Sequence, residues 1–146
     1  MMQYWIFRTS PTNYDIRRRL LAESPLLTWK VSQHRARIQP GDLAFIWIGG
    51  PLDSQAVLGA VRVEDPPAVM EVPREDVAFW SEPPAGPQYR VPCRIIARGP
   101  EVKRETIADL AEMQEHTIFF QHQHLNHALS VAQGQRIAGL MGIGQA

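Results

Sequence analysis

"IQPGDLAFIWIGGPLDSQAVLGAVRV", residues 38–63, holds two apolar runs joined by a loop and preceded by a Pro-Gly pair. Pro40 and Gly41 suit the two central positions of a type II turn, because proline presets a negative φ and glycine supplies the positive one. After that turn, Leu43 to Ile48 reads as a strand and residues 56–63 as its hairpin partner, with "GGPLDSQ" as the connection. Gly59, inside the second run, marks a bulge or a close backbone approach. These two strands are predicted to form the centre of a sheet.

Upstream, "QYWIFRT" alternates Tyr4, Ile6 and Arg8 with Trp5, Phe7 and Thr9, the period of a strand. "SPTNYDIRRRLLAES" follows as a turn into a short helix, with Thr12 or Asn13 as cap, Ile16, Leu20 and Leu21 as the buried stripe, and the arginines pointing outward. Between that helix and the Pro-Gly turn, Trp29 stands among polar and basic residues in "LLTWKVSQHRAR".

Downstream, residues 64–88 are rich in proline and acid and are predicted to be a long excursion loop. "YRVPCRIIA" resumes as a strand in which Pro92 asks for an edge or a bulge. "TIADLAEMQ" suggests a short helix, with Thr106 and Asp109 at capping-box spacing. "HTIFFQ" reads as one more strand, and "AQGQRIAGLMG" as a terminal helix weakened by Gly134 and Gly139. Short strands, few helices and tight turns give a mixed α+β domain on a small curved or closed sheet.

At 146 residues, 45% hydrophobic and 21% charged, the chain has the proportions of one globular domain. No apolar stretch approaches the roughly 20 residues that span a bilayer. The amino terminus lacks the pattern of a signal peptide and Cys93 has no partner cysteine, so a cytoplasmic location is the expectation. The net charge is zero, yet residues 1–41 carry seven Lys or Arg against two acids. A neutral total argues against wrapping a duplex, while a local basic surface suits contacts to a few phosphates. The triple arginine by itself reads as the solvated face of a helix.

The order of these pieces resembles the EVE domain, a relative of the YTH and PUA-like domains. The resemblance rests on the "YWIF" strand ending in "TSP", the helix, Trp29 followed by "VSQHRARIQPGDLAFIW", and then "AVLGAVRV". It is carried mostly by the first 63 residues, and "HTIFFQHQHLNHALSVAQGQRIAGLM" is similar in layout to the family's closing strand and helix. It implies a PUA-like fold, a small, strongly bent β-barrel flanked by short helices. It also implies a binding function, recognition of a modified nucleobase in DNA or RNA, with no catalysis and no cofactor. Many relatives show Trp-Asp-Gly-Val-Arg-Asn after the helix; "WKVSQH" stands there in this chain, so the family's base preference does not carry over.

By the same resemblance Trp29, Ser32, Gln33 and Trp47 would line the pocket. A base pulled out of its stack needs flat apolar surfaces for its faces and hydrogen-bonding groups for its edge. Trp5 or Phe7 would add to the first set and Ser10 to the second. Trp47, between Ile46 and Ile48, also reads as core packing. Trp29, among polar neighbours, is expected to be a partly exposed ring at a pocket rim. Arg35 and Arg37, two apart on an extended stretch, would share one face and meet phosphate together with Lys30, Arg17 or Arg18, or simply be solvated.

Other chemistries find less to stand on. "HQHLNH" groups His122, His124 and His127 without a fourth ligand and reads as an exposed polar loop, so no metal site is expected. Cys93 reads as a small core residue. There is no Gly-x-Ser-x-Gly elbow and no phosphate-cradling glycine loop. An enzyme of the related ASCH branch, an amidohydrolase on acylated cytidine, would draw on Lys30 with Glu64 or Asp65. A protein-interaction module would use residues 64–88 with Trp80 exposed to dock a partner.

Overall fold

The computed structural model describes residues 2–144. Its frame is one mixed sheet of eight strands: β1 Tyr4–Thr9, β2 Leu26–Lys30, β3 Leu43–Ile48, β4 Ala56–Val63, β5 Ala68–Met70, β6 Gln88–Ala97, β7 Val102–Lys103 and β8 Asn126–Leu129. The strand order is β2-β6-β4-β3-β1-β8, with β5 added beside β6 and β7 beside β4. β1 and β3 pair in parallel, and the other ladders are antiparallel. A parallel pair needs a crossover, which helix α1 (Ile16–Leu21) and β2 supply.

The central hairpin forms as the sequence predicts. Gly41 has φ +90° and the Asp42 amide donates to the Gln39 carbonyl at 3.1 Å, closing a turn over Pro40 and Gly41. The β3–β4 ladder shifts register between Ile46 and Trp47, and the β4–β6 ladder between Ala60 and Val61. Two bulges so close together add twist to strands that pair through many residues, and the sheet curls. Gly59 lies between them, where a Cβ would sit 2.6 Å from the Ala97 carbonyl oxygen.

Curling brings β2 and β8, the two ends of the sheet, towards each other. Asn126, fully buried at the start of β8, ties them: its Oδ1 accepts from the amides of Ser32 (2.7 Å) and Gln33 (3.1 Å), and its Nδ2 donates to the Lys30 carbonyl (3.1 Å). Gln33 answers through Oε1, which accepts from the amides of Leu125 and Asn126. Side-chain amides thus replace the strand ladder at the seam.

Alternation along β1 and β3 sends side chains to two cores. Trp5, Phe7, Ala44, Ile46 and Ile48 face one core with Ile16 and Leu20 of α1, Trp29, Val61 and Val91. Tyr4, Ile6, Phe45 and Trp47 face the other, under α2 (Arg104–Ala108) and α3 (Val131–Leu140). Ser130 caps α3 in a full capping box with Gln133. Gly134 does not merely weaken this helix. A Cβ there would sit 2.0 Å from the Tyr4 ring, so the glycine lets α3 lie flat on β1.

Several expectations need correction. The cap of α1 is Asp15, whose side chain accepts from the Arg18 amide, and Leu21 is 82% exposed while Arg19 is 1% exposed. Arg19 turns inward because the excursion supplies a partner: its Nε lies 2.5 Å from Oδ1 of Asp76, itself 1% exposed. Residues 64–88 therefore are not a plain loop; they hold β5 and a 3-10 turn over Arg74–Phe79 that packs on α1. "HTIFFQ" contains a 3-10 turn, Thr117–Phe119, and the strand comes later as β8. The helix at 106–114 starts earlier, at Arg104, and breaks into a 3-10 turn at Ala111–Met113. Pro92 sits in β6 opposite Thr28 with its carbonyl accepting from Glu64, where β4 has just ended. Its missing N–H therefore interrupts no long ladder. Among the described residues no helix is long and apolar enough to cross a membrane.

Candidate ligand-binding site

A row of aromatic rings crosses one end of the first core. Phe7 stacks near Trp29 (centroids 6.1 Å), Trp29 meets the edge of Tyr14 (6.3 Å), and Tyr14 lies 4.6 Å from Trp80. Trp29 comes from β2, Tyr14 from the entry to α1, and Trp80 from the end of the excursion, where it bridges to Tyr14 in antiparallel fashion. These last three rings line a cavity of about 360 Å³, together with Ser10, Asn13, Thr28, Lys30, Glu82 and Arg90.

The wall is held from behind by a buried polar network. Asp76 receives Arg19 and also accepts from the Tyr14 hydroxyl at 3.1 and 3.2 Å. Burial, with the Asp76 charge beside it, pushes the Tyr14 phenol far above its ordinary range, so it stays a neutral donor. Arg90, 3% exposed, donates to Oγ1 (2.7 Å) and the carbonyl (3.0 Å) of Thr28 and to Oε1 of Gln88 (2.8 Å). Asn13 clasps Glu82 in both directions, fixing the far lip.

The sequence-predicted residues divide. Trp29 and Ser10 line the cavity, as does Lys30. Trp29 is no rim ring, however: it is 5% exposed, because β6 covers its polar-looking neighbourhood from the side. Trp47 is outside the site altogether. It points into the second core, meets Phe119 edge-on at 6.1 Å and donates Nε1 to Gln55 at 3.3 Å, so no cavity lies between Trp29 and Trp47. Phe7 and Trp5 are fully buried; Phe7 backs Trp29, and Trp5 donates Nε1 to Asp42 at 2.9 Å. Ser32 and Gln33 have their hydrogen bonds in the seam with β8 rather than in the cavity.

The cations also separate. Arg17 pairs with Glu101 at 3.2 Å and Arg18 stands 3.8 Å from Asp15, so both already have carboxylates. Arg35 lies over the Tyr89 ring at 3.8 Å and Arg37 over Trp5 at 5.5 Å. Neither they nor Lys30 meet a carboxylate at ion-pair distance among the described residues.

The histidine cluster is not simply an exposed loop. His127 is 1% exposed; its Nε2 donates to the His124 carbonyl (3.2 Å), and its Nδ1 lies 2.9 Å from Thr117 Oγ1. Burial lowers its pKa to about 4. Cys93 is buried, and burial pushes its thiol pKa well up. Sequence reasoning missed Tyr14, Arg90 and Asn126 as site or seam residues. Trp80, which a docking module would expose, is half-buried on Tyr14, and this counts against that reading.

The family model for the EVE domain matches residues 3–138. This chain belongs to the EVE domain family. Among solved structures, Rpa0253 from Rhodopseudomonas palustris superposes with a TM-score of 0.67 at 9% identity, covering 99% of this chain and 97% of its own. A hypothetical protein from Leishmania major gives 0.66 at 16% identity, with 96% and 94% covered. The human THYN1 protein, in complex with DNA containing 5-methylcytosine, gives 0.63 at 11% identity, with 94% and 96% covered. Identities this low establish the fold, which is the PUA-like one. A search of curated proteins by sequence returns no match.

Proposed function

We propose that this EVE domain binds a modified nucleobase, presented by DNA or RNA, in the cavity walled by Trp29, Tyr14 and Trp80. The observation that carries this reading is the three-ring wall around about 360 Å³, with Lys30 at its edge. The rings supply stacking, the Glu82 carboxylate offers an acceptor to an exocyclic amine, and Lys30 with Arg35 meets the flanking phosphates. The THYN1 complex with methylated DNA supports the same class of ligand for a protein of this fold.

A hydrolase in the manner of ASCH relatives is the second reading. Its expected carboxylates, Glu64 and Asp65, line a different depression from Lys30, and Glu64 is paired with Arg94 at 2.7 Å. Glu82 does share the cavity with Lys30. The protein is therefore to be incubated with N4-acetylcytidine, which should remain intact. Release of acetate, lost in Lys30→Ala, would favour the enzyme.

The binding reading is tested by titrating fluorescent oligonucleotides that differ in one base, cytosine or a C5-modified cytosine, with wild type and Trp80→Ala. Loss of one stacking ring should cost about 1–3 kcal/mol, some five- to hundredfold in affinity. Equal affinity for all oligonucleotides, unchanged in Trp80→Ala, would put the site elsewhere.

A further inference from the structure

Two buried arginines stand behind the cavity, and one buried carboxylate serves them. Asp76 is committed to Arg19 at 2.5 Å and to the Tyr14 hydroxyl. Arg90, although 97% buried, has no carboxylate within ion-pair distance among the described residues. Its three contacts are a hydroxyl, a carbonyl and an amide oxygen, all uncharged. A guanidinium has five N–H bonds, so one on each terminal nitrogen remains uncommitted. Asp76 acts on Arg90 only through space, because its hydrogen bonds go to Arg19 and Tyr14, and a buried cation without a directly bonded counter-charge in a cleft marks a place where a ligand can supply one.

The rest of the lining agrees. Arg8, Lys30 and Arg90 face the cavity against one acid, Glu82, which is exposed and solvated at the lip. Nε of Arg8 and Nε1 of Trp80 are also buried donors with no acceptor. Donors and positive charge are in excess, and acceptors are short.

Resting on the base-binding reading, we infer that the base carries an anionic substituent, a carboxylate on the pyrimidine ring, which Arg90 receives on its two uncommitted N–H bonds. A carbonyl edge would satisfy the hydrogen bonds but leave the buried charge answered only at a distance, by Asp76. A carboxylate answers both, and the guanidinium fork matches its two oxygens. A methyl group in the same place would bury the charge deeper.

Three single-stranded oligonucleotides, identical except for one cytosine, 5-methylcytosine or 5-carboxylcytosine, test this by fluorescence anisotropy at fixed salt. Wild type should bind the carboxylated strand at least tenfold more tightly than the methylated one. Arg90→Lys should reduce that ratio severalfold, and Arg90→Gln should abolish it with a smaller change in methylated binding. Should Arg90→Gln fail to fold, wild type and Arg90→Lys still decide the matter. The free nucleoside 5-carboxyl-2′-deoxycytidine should compete, whereas deoxycytidine monophosphate should not. Equal competition by the monophosphate would assign the charge to phosphate and overturn the inference. So would methylated binding as tight as carboxylated. If neither modification improves on plain cytosine, the base-binding reading itself fails.

Discussion

Trp29 and Trp47 are both almost fully buried, and they lie on opposite sides of the sheet with opposite surroundings. Trp47 is enclosed: Gln55 satisfies its indole, Phe119 meets its face, and α2 and α3 cover its core. Trp29 is packed behind by Phe7 but opens in front onto a cavity shared with Tyr14 and Trp80. Burial therefore does not distinguish a core ring from a ligand wall. What does is whether every side of the ring already has a neighbour.

The comparison breaks most readily at the two rings themselves. Trp47→Ala should lose about 3–5 kcal/mol in thermal or denaturant melts, the usual cost of emptying a packed aromatic site. Trp29→Ala should also destabilise, against the expectation from its polar sequence neighbours, because 5% exposure leaves no room for a free rim ring. Trp29→Phe and Trp47→Phe separate the roles. The first should weaken ligand binding with a modest drop in melting temperature, and the second should do the reverse. Matching effects of the two on binding would erase the distinction between the faces.

The cavity side has its own point of failure, a buried ion pair, and among the described residues no second one lies across the sheet. Asp76→Ala leaves Arg19 buried without its partner and Tyr14 without its acceptor, for a loss of about 3–5 kcal/mol. Removing one member of the exposed Arg17–Glu101 pair should change stability by at most about 0.5 kcal/mol. Melts of Asp76→Ala and Glu101→Ala side by side check the contrast. Similar small shifts in both would show that the buried network does not hold the wall.

These two regions were unequally legible in the sequence. The hairpin was readable because its signals are local: Pro40-Gly41 specifies the turn that enters β3, and the apolar runs on either side of the connecting loop at 49–55 have strand length. The curl was half legible, since Gly59 marks a bulge but not its direction. The wall was not, because it is assembled from distant segments. Tyr14 gains its role from Asp76, 62 residues later, and Arg19 sits in a run of three arginines whose pattern is that of a wet helix face. Only the tertiary partner says which of the three turns inward. Trp29 misled for the same reason: polar neighbours in sequence do not predict exposure when another strand covers them. Asn126 carries no local signal at all, since its partners lie more than 90 residues away.

A smaller effect is expected at the second seam of the molecule, where β8 meets the turn at Thr117–Phe119. His127 there has its pKa lowered to about 4, first because burial disfavours the imidazolium, and then because His116, His124 and Arg8 add positive charge. The unfolded chain takes up this proton near pH 6.5 while the native state refuses it until about pH 4. The contribution to stability is therefore complete above about pH 6.5 and is lost as pH falls towards 4. Melting temperatures from pH 7 to 4 should fall less steeply in His127→Gln than in wild type, with ligand affinity at pH 7 preserved because His127 does not line the cavity. Parallel curves would mean that His127 is not the titrating group.

The smallest effect tests whether the basic surface is divided as the cavity is. Arg17 and Arg18 are already matched with Glu101 and Asp15, whereas Lys30 at the cavity mouth and Arg35 beyond it have no carboxylate at ion-pair distance. Phosphates should accordingly be met by two or three side chains on the Lys30 side alone, giving a shallow dependence of log affinity on log salt, with a slope of about −2 for a single strand. Lys30→Ala should reduce that slope by roughly 0.7, and Arg17→Ala should leave it unchanged. The measurement is an anisotropy titration of one oligonucleotide at four salt concentrations for the three proteins. A steeper slope, or an equal loss from Arg17→Ala, would place the nucleic acid across α1 rather than at the cavity mouth. In that case the cations would not follow the division between the aromatic wall and the rest of the surface.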